Sequence, residues 1–319
     1  MRQVQAVYAV SPVPGRVRAF YNRGFRHGTR PLAAIDDIEE IYMAAPQLTK
    51  IFCVIDPTTP HQRALVRAAS VAAGSQATVH AYLCFALPAN ASYQDADELR
   101  EAELARHTLW LDKLVEPYLA DGIQVTTEVE CQNNWRDALA AAATRAEADL
   151  VVRSSYRRTA LQRRVLKTAD WTLLRESRCP VLLVKTGSVA QLDNVLVALN
   201  IAAKDEPHQR LNDTVITYSQ AVARLSGAKL HAVNAFQGSQ NFVHPPDLAK
   251  RVGVERAQAH VGDASPEELI ARVAEKVGAT LVIIGSLSRR GMSGLVVGNT
   301  AERILDNVNA DVLTVFESP

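Results

Sequence analysis

The residues best equipped for chemistry lie at 281–302, LVIIGSLSRRGMSGLVVGNTAE. Leu281-Val282-Ile283-Ile284 is a short apolar run ending at Gly285. Such a run suits a strand buried on both faces of a parallel sheet. Gly285, Gly291 and Gly294 fall in or beside the following loop, and Gly298 stands where a helix begins. Asn299 can cap that helix, with Thr300 next and Glu302 at the third helical position, as in a capping box. A glycine-rich loop running into a helix N-terminus can cradle phosphate, because its free N–H groups and the helix dipole both favour an anion. Arg289 and Arg290 add charge that neutralises phosphate. The alternative reading is a tight turn and a capped helix with no ligand.

A second cluster is basic: Arg153, Arg157, Arg158, Arg163, Arg164 and Lys167. Arg153, Arg157 and Arg158 are the candidate anion contacts, for a nucleotide, a phospholipid head group or RNA. The competing reading is a solvated face paired with acids elsewhere, and charge runs favour it. Tyr156 stands alone in this run, so base stacking has no ladder to use. The histidines show no HExxH spacing, the serines no G-x-S-x-G elbow, and no Walker lysine follows Gly298. No nucleophile–base pair is legible, so the sequence predicts no enzyme. Cys53, Cys84, Cys131 and Cys179 lie far apart without metal spacing, which fits reduced thiols and no bound metal.

The glycine stretch resembles the signature of the universal stress protein family. Nucleotide-binding members carry Gly-x2-Gly-x9-Gly-Ser/Thr, and the corresponding positions are Gly285, Ser288, Gly298 and Asn299. The outer glycines match, whereas Ser288 and Asn299 depart. The Gly-Asn-Thr-Ala-Glu ending resembles the tandem, E-type members, in which two such domains share one chain. In nucleotide-binding relatives an aspartate ending the first strand helps hold the nucleoside. That position is Asp56 in a first copy and Asn200 in a second. Thus Asp56 lacks a glycine loop, and the loop lacks its aspartate. The resemblance implies ATP as the cofactor to test and Gly285, Ser288, Arg289, Gly291, Gly298, Asn299, Thr300 and Asn200 as its candidate contacts. It also implies α/β architecture: two doubly wound, five-stranded parallel sheets in tandem, each in strand order 3-2-1-4-5.

The elements that must position these residues repeat. The first copy reads as strands at 51–56, 77–85, 123–131, 149–153 and 180–185, with helices at 61–73, 95–120, 135–147 and 168–177. The second reads as strands at 194–200, 229–236, 254–261, 280–285 and 311–316, with helices at 210–226, from 265 and at 299–307. Pro245 and Pro246 limit the segment that replaces the long first-copy helix to a short helix. Thr168-Ala169-Asp170 aligns with Thr300-Ala301-Glu302, and Val181-Leu182-Leu183 with Leu313-Thr314-Val315, an offset of 132 (300 minus 168). The expected organisation is a loosely ordered arm at 1–47, a first domain at 48–186, a linker at 187–193 and a second domain at 194–319, shortened between its second and third strands. The two sheets are expected as twins packed within one chain, as a family dimer packs across strand five.

A net charge of +1 over 319 residues gives no global attraction to nucleic acid or anionic membrane, and no run is long enough to span a bilayer. Together with the resemblance, this implies a non-catalytic cytoplasmic stress-response factor with degenerate nucleotide loops, paired within the chain and a candidate homodimer. Two alternatives stay open: an ATP-binding sensor using the second-domain loop, and a carrier of a small amphipathic metabolite or lipid.

Overall fold

The structure, a computed structural model, describes residues 47–87, 96–155, 169–185, 191–287 and 299–317. The first half runs β1 (Lys50–Ile55), α1 (Arg63–Ser75), β2 (Thr78–Phe85), α2 (Ala96–Ala120), β3 (Val125–Cys131), α3 (Trp135–Arg145), β4 (Leu150–Ser155), α4 (Ala169–Glu176) and β5 (Val181–Lys185). The second runs β6 (Asn194–Leu199), α5 (Glu206–Ser226), β7 (Lys229–Phe236), α6 (Pro245–Val252), β8 (Ala259–Asp263), α7 (Pro266–Val277), β9 (Leu281–Ser286), α8 (Asn299–Asn307) and β10 (Asp311–Phe316). One face of the sheet carries α1, α2, α5 and α6 over Ile51, Val152, Val197 and Ile283. The other carries α3, α4, α7 and α8 over Phe52, Val151, Leu196 and Val282. Neighbouring residues of one strand thus serve opposite cores, which is why the central strands are continuously apolar.

The expectation of two separate sheets is corrected. The described strands form one ten-stranded sheet in the order β3-β2-β1-β4-β5-β10-β9-β6-β7-β8. Each half keeps the order 3-2-1-4-5, and the halves join edge to edge. β5 and β10 pair antiparallel, with Leu182 opposite Leu313. In the parallel registers Val151 faces Val181 and Val282 faces Val312. The halves therefore align at an offset of 131 here (282 minus 151, 312 minus 181). Leu182 and Leu313 are then equivalent residues paired with one another, so a pseudo-twofold axis passes through their contact. The 132 alignment slipped by one residue, which would exchange the faces of strand five. Core membership decides it: Val181 and Val312 share one face, Leu182 and Leu313 the other.

Several boundaries also move. Helix α1 starts at Arg63 rather than 61, with Gln62 at its N-cap, and it runs through Gly74 to a left-handed Gln76. Helix α5 starts at Glu206 because the Asp205 carboxylate accepts from His208 N at 3.1 Å. Asn134 stands at the N-cap of α3, but its side chain makes no capping hydrogen bond and its amide donates to Asp137. The third strand of the second half begins at Ala259, because Arg256–Gln258 winds into a 3-10 turn closed by Glu255 and Gln258. The two prolines sit at the start of the eight-residue α6, where missing N–H groups cost nothing.

The seam between the halves carries charge. Arg67 of α1 places Nε and Nη2 at 3.1 and 3.0 Å from Asp311 Oδ2, and Lys185 N donates to Asp311 Oδ1 at 2.9 Å. Arg67 and Asp311 are 6% and 0% exposed, so water does not screen the pair. The sheet register and the left-handed helix ends at Gln76 and Gly227 put Tyr218 where Arg67 stands in the other half. Tyr218 is pushed up to about 12 by burial, with Cys179 and Asp149 of the first half adding to it. One side of the pseudo-dimer thus carries an ion pair where the other carries a phenol.

Candidate functional site

In open α/β sheets a ligand sits beyond the carboxyl ends of the central strands. That end of the first half is built from β1, β4 and the turn into α1. Asp56 follows β1, and its Oδ1 accepts from Thr58 N at 2.9 Å and Thr58 Oγ1 at 2.6 Å. Gln62, 5% exposed, closes the turn: Oε1 accepts from Asp56 N at 3.1 Å, and Nε2 donates to Asp56 O and Thr59 O, each at 2.6 Å. Ser154 Oγ, at the end of β4, accepts from Ala64 N in the first turn of α1 at 3.1 Å. The carboxylate, the turn and the helix start are all held by the chain's own side chains.

The second half solves the same problem from a different position. Asn212, within α5, accepts from Asn200 N at 3.2 Å and donates to Asn200 O at 2.9 Å. Asn234, fully buried in β7, accepts from Ile201 N at 2.8 Å. Both halves thus hold the residue after their first strand with a two-pronged amide. Its own side chain is left toward the open end, and Asn200 is exposed. Gly285 lies close by as the penultimate residue of β9, the strand paired with β6. A Cβ there would stand 2.8 Å from Leu211 Cγ and Cδ2 and 3.0 Å from Val215 Cγ2. Gly285 is therefore required by the close approach of α5 to the sheet.

Of the predicted contacts, Asn200 and Gly285 are brought to the same strand ends. Ser288, Arg289, Gly291 and Gly298 lie outside the described residues, as do Arg157 and Arg158. Asn299 and Thr300 open α8, but their side chains are likewise outside. Arg153 turns inward: its Nε donates to Asp170 Oδ1 at 2.7 Å beneath the Trp135 ring, 5.7 Å from its centroid. Ser155 Oγ donates to Asp170 Oδ2 at 2.9 Å. The offset of 131 places Ile284 and Ala301 at the corresponding sites of the second half, so an ion pair and an apolar pair fill equivalent positions.

Sequence reasoning missed Gln62, Asn212 and Asn234. For Asn212 and Asn234 a signal existed: each is a polar residue on the apolar side of its element, next to Leu211 and Val215 or between Val233 and Ala235. It also missed two cross-strand histidine contacts. His80 Nε2 lies 2.9 Å from Glu128, and His231 Nδ1 lies 3.3 Å from His260 Nε2. No sequence spacing reveals them, because strand pairing creates them. The four cysteines are free, and burial raises the Cys53, Cys84 and Cys179 thiols above their ordinary range. Among the described residues no group of three or more His, Cys, Asp and Glu side chains could hold a metal. Nor is any described helix long and apolar enough to cross a membrane.

Comparison with known proteins agrees with this architecture. The profile of the universal stress protein family matches residues 48–185 and again 195–315. Universal stress protein E of Photorhabdus laumondii is 24% identical over 302 residues, covering 84% of this chain and 96% of that protein. Universal stress protein E of Escherichia coli is 24% identical over 290 residues, covering 82% and 92%. The crystal structure of a functionally unknown protein of Pseudomonas aeruginosa superposes with a TM-score of 0.70 at 25% identity, covering 87% of this chain and 95% of that one. A universal stress protein of Archaeoglobus fulgidus, at 15% identity and a TM-score of 0.67 over 86% and 98%, shares the fold. With two family domains in one chain and E-type relatives along most of its length, this protein belongs to the universal stress protein family as a tandem, E-type member.

Proposed function

We propose that the chain is a non-catalytic, cytoplasmic stress-response factor whose two nucleotide-type sites have lost ligand-binding residues to structural work. One observation carries this reading: the described backbone at both strand ends is already committed within the chain. Asp56 binds Thr58, the backbones of Asp56 and Asn200 are clamped by Gln62 and Asn212, and Leu211 occupies the space over Gly285. A carboxylate that accepts two bonds within its own turn has fewer sites left for a ribose hydroxyl, and Leu211 fills one side of the approach to Gly285. In this reading the paired halves act as a binding scaffold, with no bound metal and no obligatory cofactor.

Isothermal titration with ATP and Mg²⁺, alongside native mass spectrometry of the purified full chain, tests it. The expected result is no saturable ATP binding at millimolar ligand and no ATP turnover. Stoichiometric ATP binding that is lost on Gly298→Val substitution would overturn it in favour of a sensor. A co-purified amphipathic molecule would overturn it in favour of a carrier.

A further inference from the structure

The pseudo-twofold relates two histidine positions whose surroundings differ. His80 and His231 occupy the same register on β2 and β7, opposite Phe52 and Leu196 respectively. Tyr82 pairs with Glu128 and Val233 with His260, so Glu128 and His260 are equivalent across the halves. Glu130 is likewise equivalent to Gly262. Cations of the covering helices lie over each site: Arg145 at the end of α3, and Arg272 and Lys276 in α7.

The chemistry differs sharply. In the first half His80 lies against Glu128, and Arg145 bridges Glu128 and Glu130 at 2.5 and 3.2 Å. His80 thus has a carboxylate partner, itself held by a guanidinium. In the second half His231 and His260 stack with centroids 5.6 Å apart and nitrogens 3.3 Å apart. The charged groups acting on them are Lys229 on β7, Arg256 in the turn before β8 and Lys276 on α7, all cationic. Arg272 of α7 lies over Gly262, two residues along β8, and β6 contributes only apolar Leu196. A neutral pair can share one N–H between the rings. A doubly protonated pair sets two N–H groups against each other among cations.

We propose that the His231–His260 pair makes the β7–β8–α7 edge of the second half an acid-responsive element, one that loosens as pH falls while the equivalent edge of the first half does not. Burial, then the neighbouring positive charges, holds His260 below its ordinary range and His231 at about 4. An opened edge restores ordinary histidines near 6.5. Between about 6.5 and 4 the open form therefore binds more protons through His231, so acid favours opening by up to tenfold per pH unit, and His260 adds in the same direction.

Peptide-resolved hydrogen exchange on the full chain at pH 7.5 and 5, corrected for intrinsic exchange, reads this directly. Protection of β7 and β8 should fall at least tenfold more than that of β2 and β3. His260→Glu, which imports the first-half partner, should abolish the difference, as should the paired substitution His231→Gln with His260→Gln. Equal losses of protection in the two halves would overturn the proposal. So would a difference that persists in the double glutamine variant. Should His260→Glu fail to fold, the wild-type comparison between halves and the glutamine variant still decide it.

Discussion

The buried pair Arg153–Asp170 offers a test that the molecule has partly run on itself, because the second half fills the same contact with Ile284 and Ala301. Arg153 and Asp170 side chains are 15% and 4% exposed, so each charge depends on the other. Asp170→Ala leaves a guanidinium facing apolar α3 and strands Ser155 Oγ as well. Breaking a buried pair from one side costs about 3–5 kcal/mol, and the partial exposure of Arg153 points to the lower end, about 3 kcal/mol. Arg153→Ile leaves Asp170 in the core, again at about 3 kcal/mol or more. The double variant Arg153→Ile with Asp170→Ala recreates the second-half arrangement. Replacing a buried ion pair by packed apolar groups is commonly neutral or stabilising, so the cost that remains is the lost acceptor of Ser155 Oγ, about 1 kcal/mol. Additivity would instead give about 6 kcal/mol. All three tryptophans, Trp110, Trp135 and Trp171, lie in the first half, so fluorescence during urea unfolding reports that half alone. With a slope of about 2 kcal/mol/M, each single variant lowers the midpoint by about 1.5 M and the double by about 0.5 M. A double variant as unstable as the sum of the singles would refute the equivalence.

Three further outcomes follow from the geometry. Asp311→Asn should destabilise the chain by about 3 kcal/mol, because Arg67 is left buried at the seam; an unchanged thermal midpoint would show the pair to be dispensable. Gly285→Ala should cost about 1–3 kcal/mol by overpacking against Leu211, and Leu211→Ala in the same chain should recover part of it. A Gly285→Ala chain of unchanged urea midpoint would mean that close packing does not require this glycine. Asn212→Ala should cost about 1–3 kcal/mol, since the N–H and C=O of Asn200 lose their partner. Faster exchange of the amides around Asn200 checks that assignment, and unaltered exchange rejects it.

Much of the fold was legible because apolar runs bounded by glycine, proline and caps repeat in the order strand, helix, strand. The stretch 281–302 gave β9 and the start of α8, and Gly227 and Gly278 end α5 and α7 in the left-handed conformation that favours glycine. Helix starts were less legible, as α1 and α5 show, because several polar residues near each could serve as cap.

The sequence by itself determined the duplication, the α/β class and which strands are buried, since periodicity and composition are local properties. Tertiary structure alone decided the rest. Hydrogen bonding across β5 and β10 made one sheet of two, because an unpaired strand edge finds its equivalent in the other half. Strand pairing set His231 against His260 and His80 against Glu128, and helix packing turned Gly285 from a cradle candidate into a contact for Leu211. Those outcomes depend on which residues meet across more than twenty positions of chain, and no spacing read along one strand encodes them.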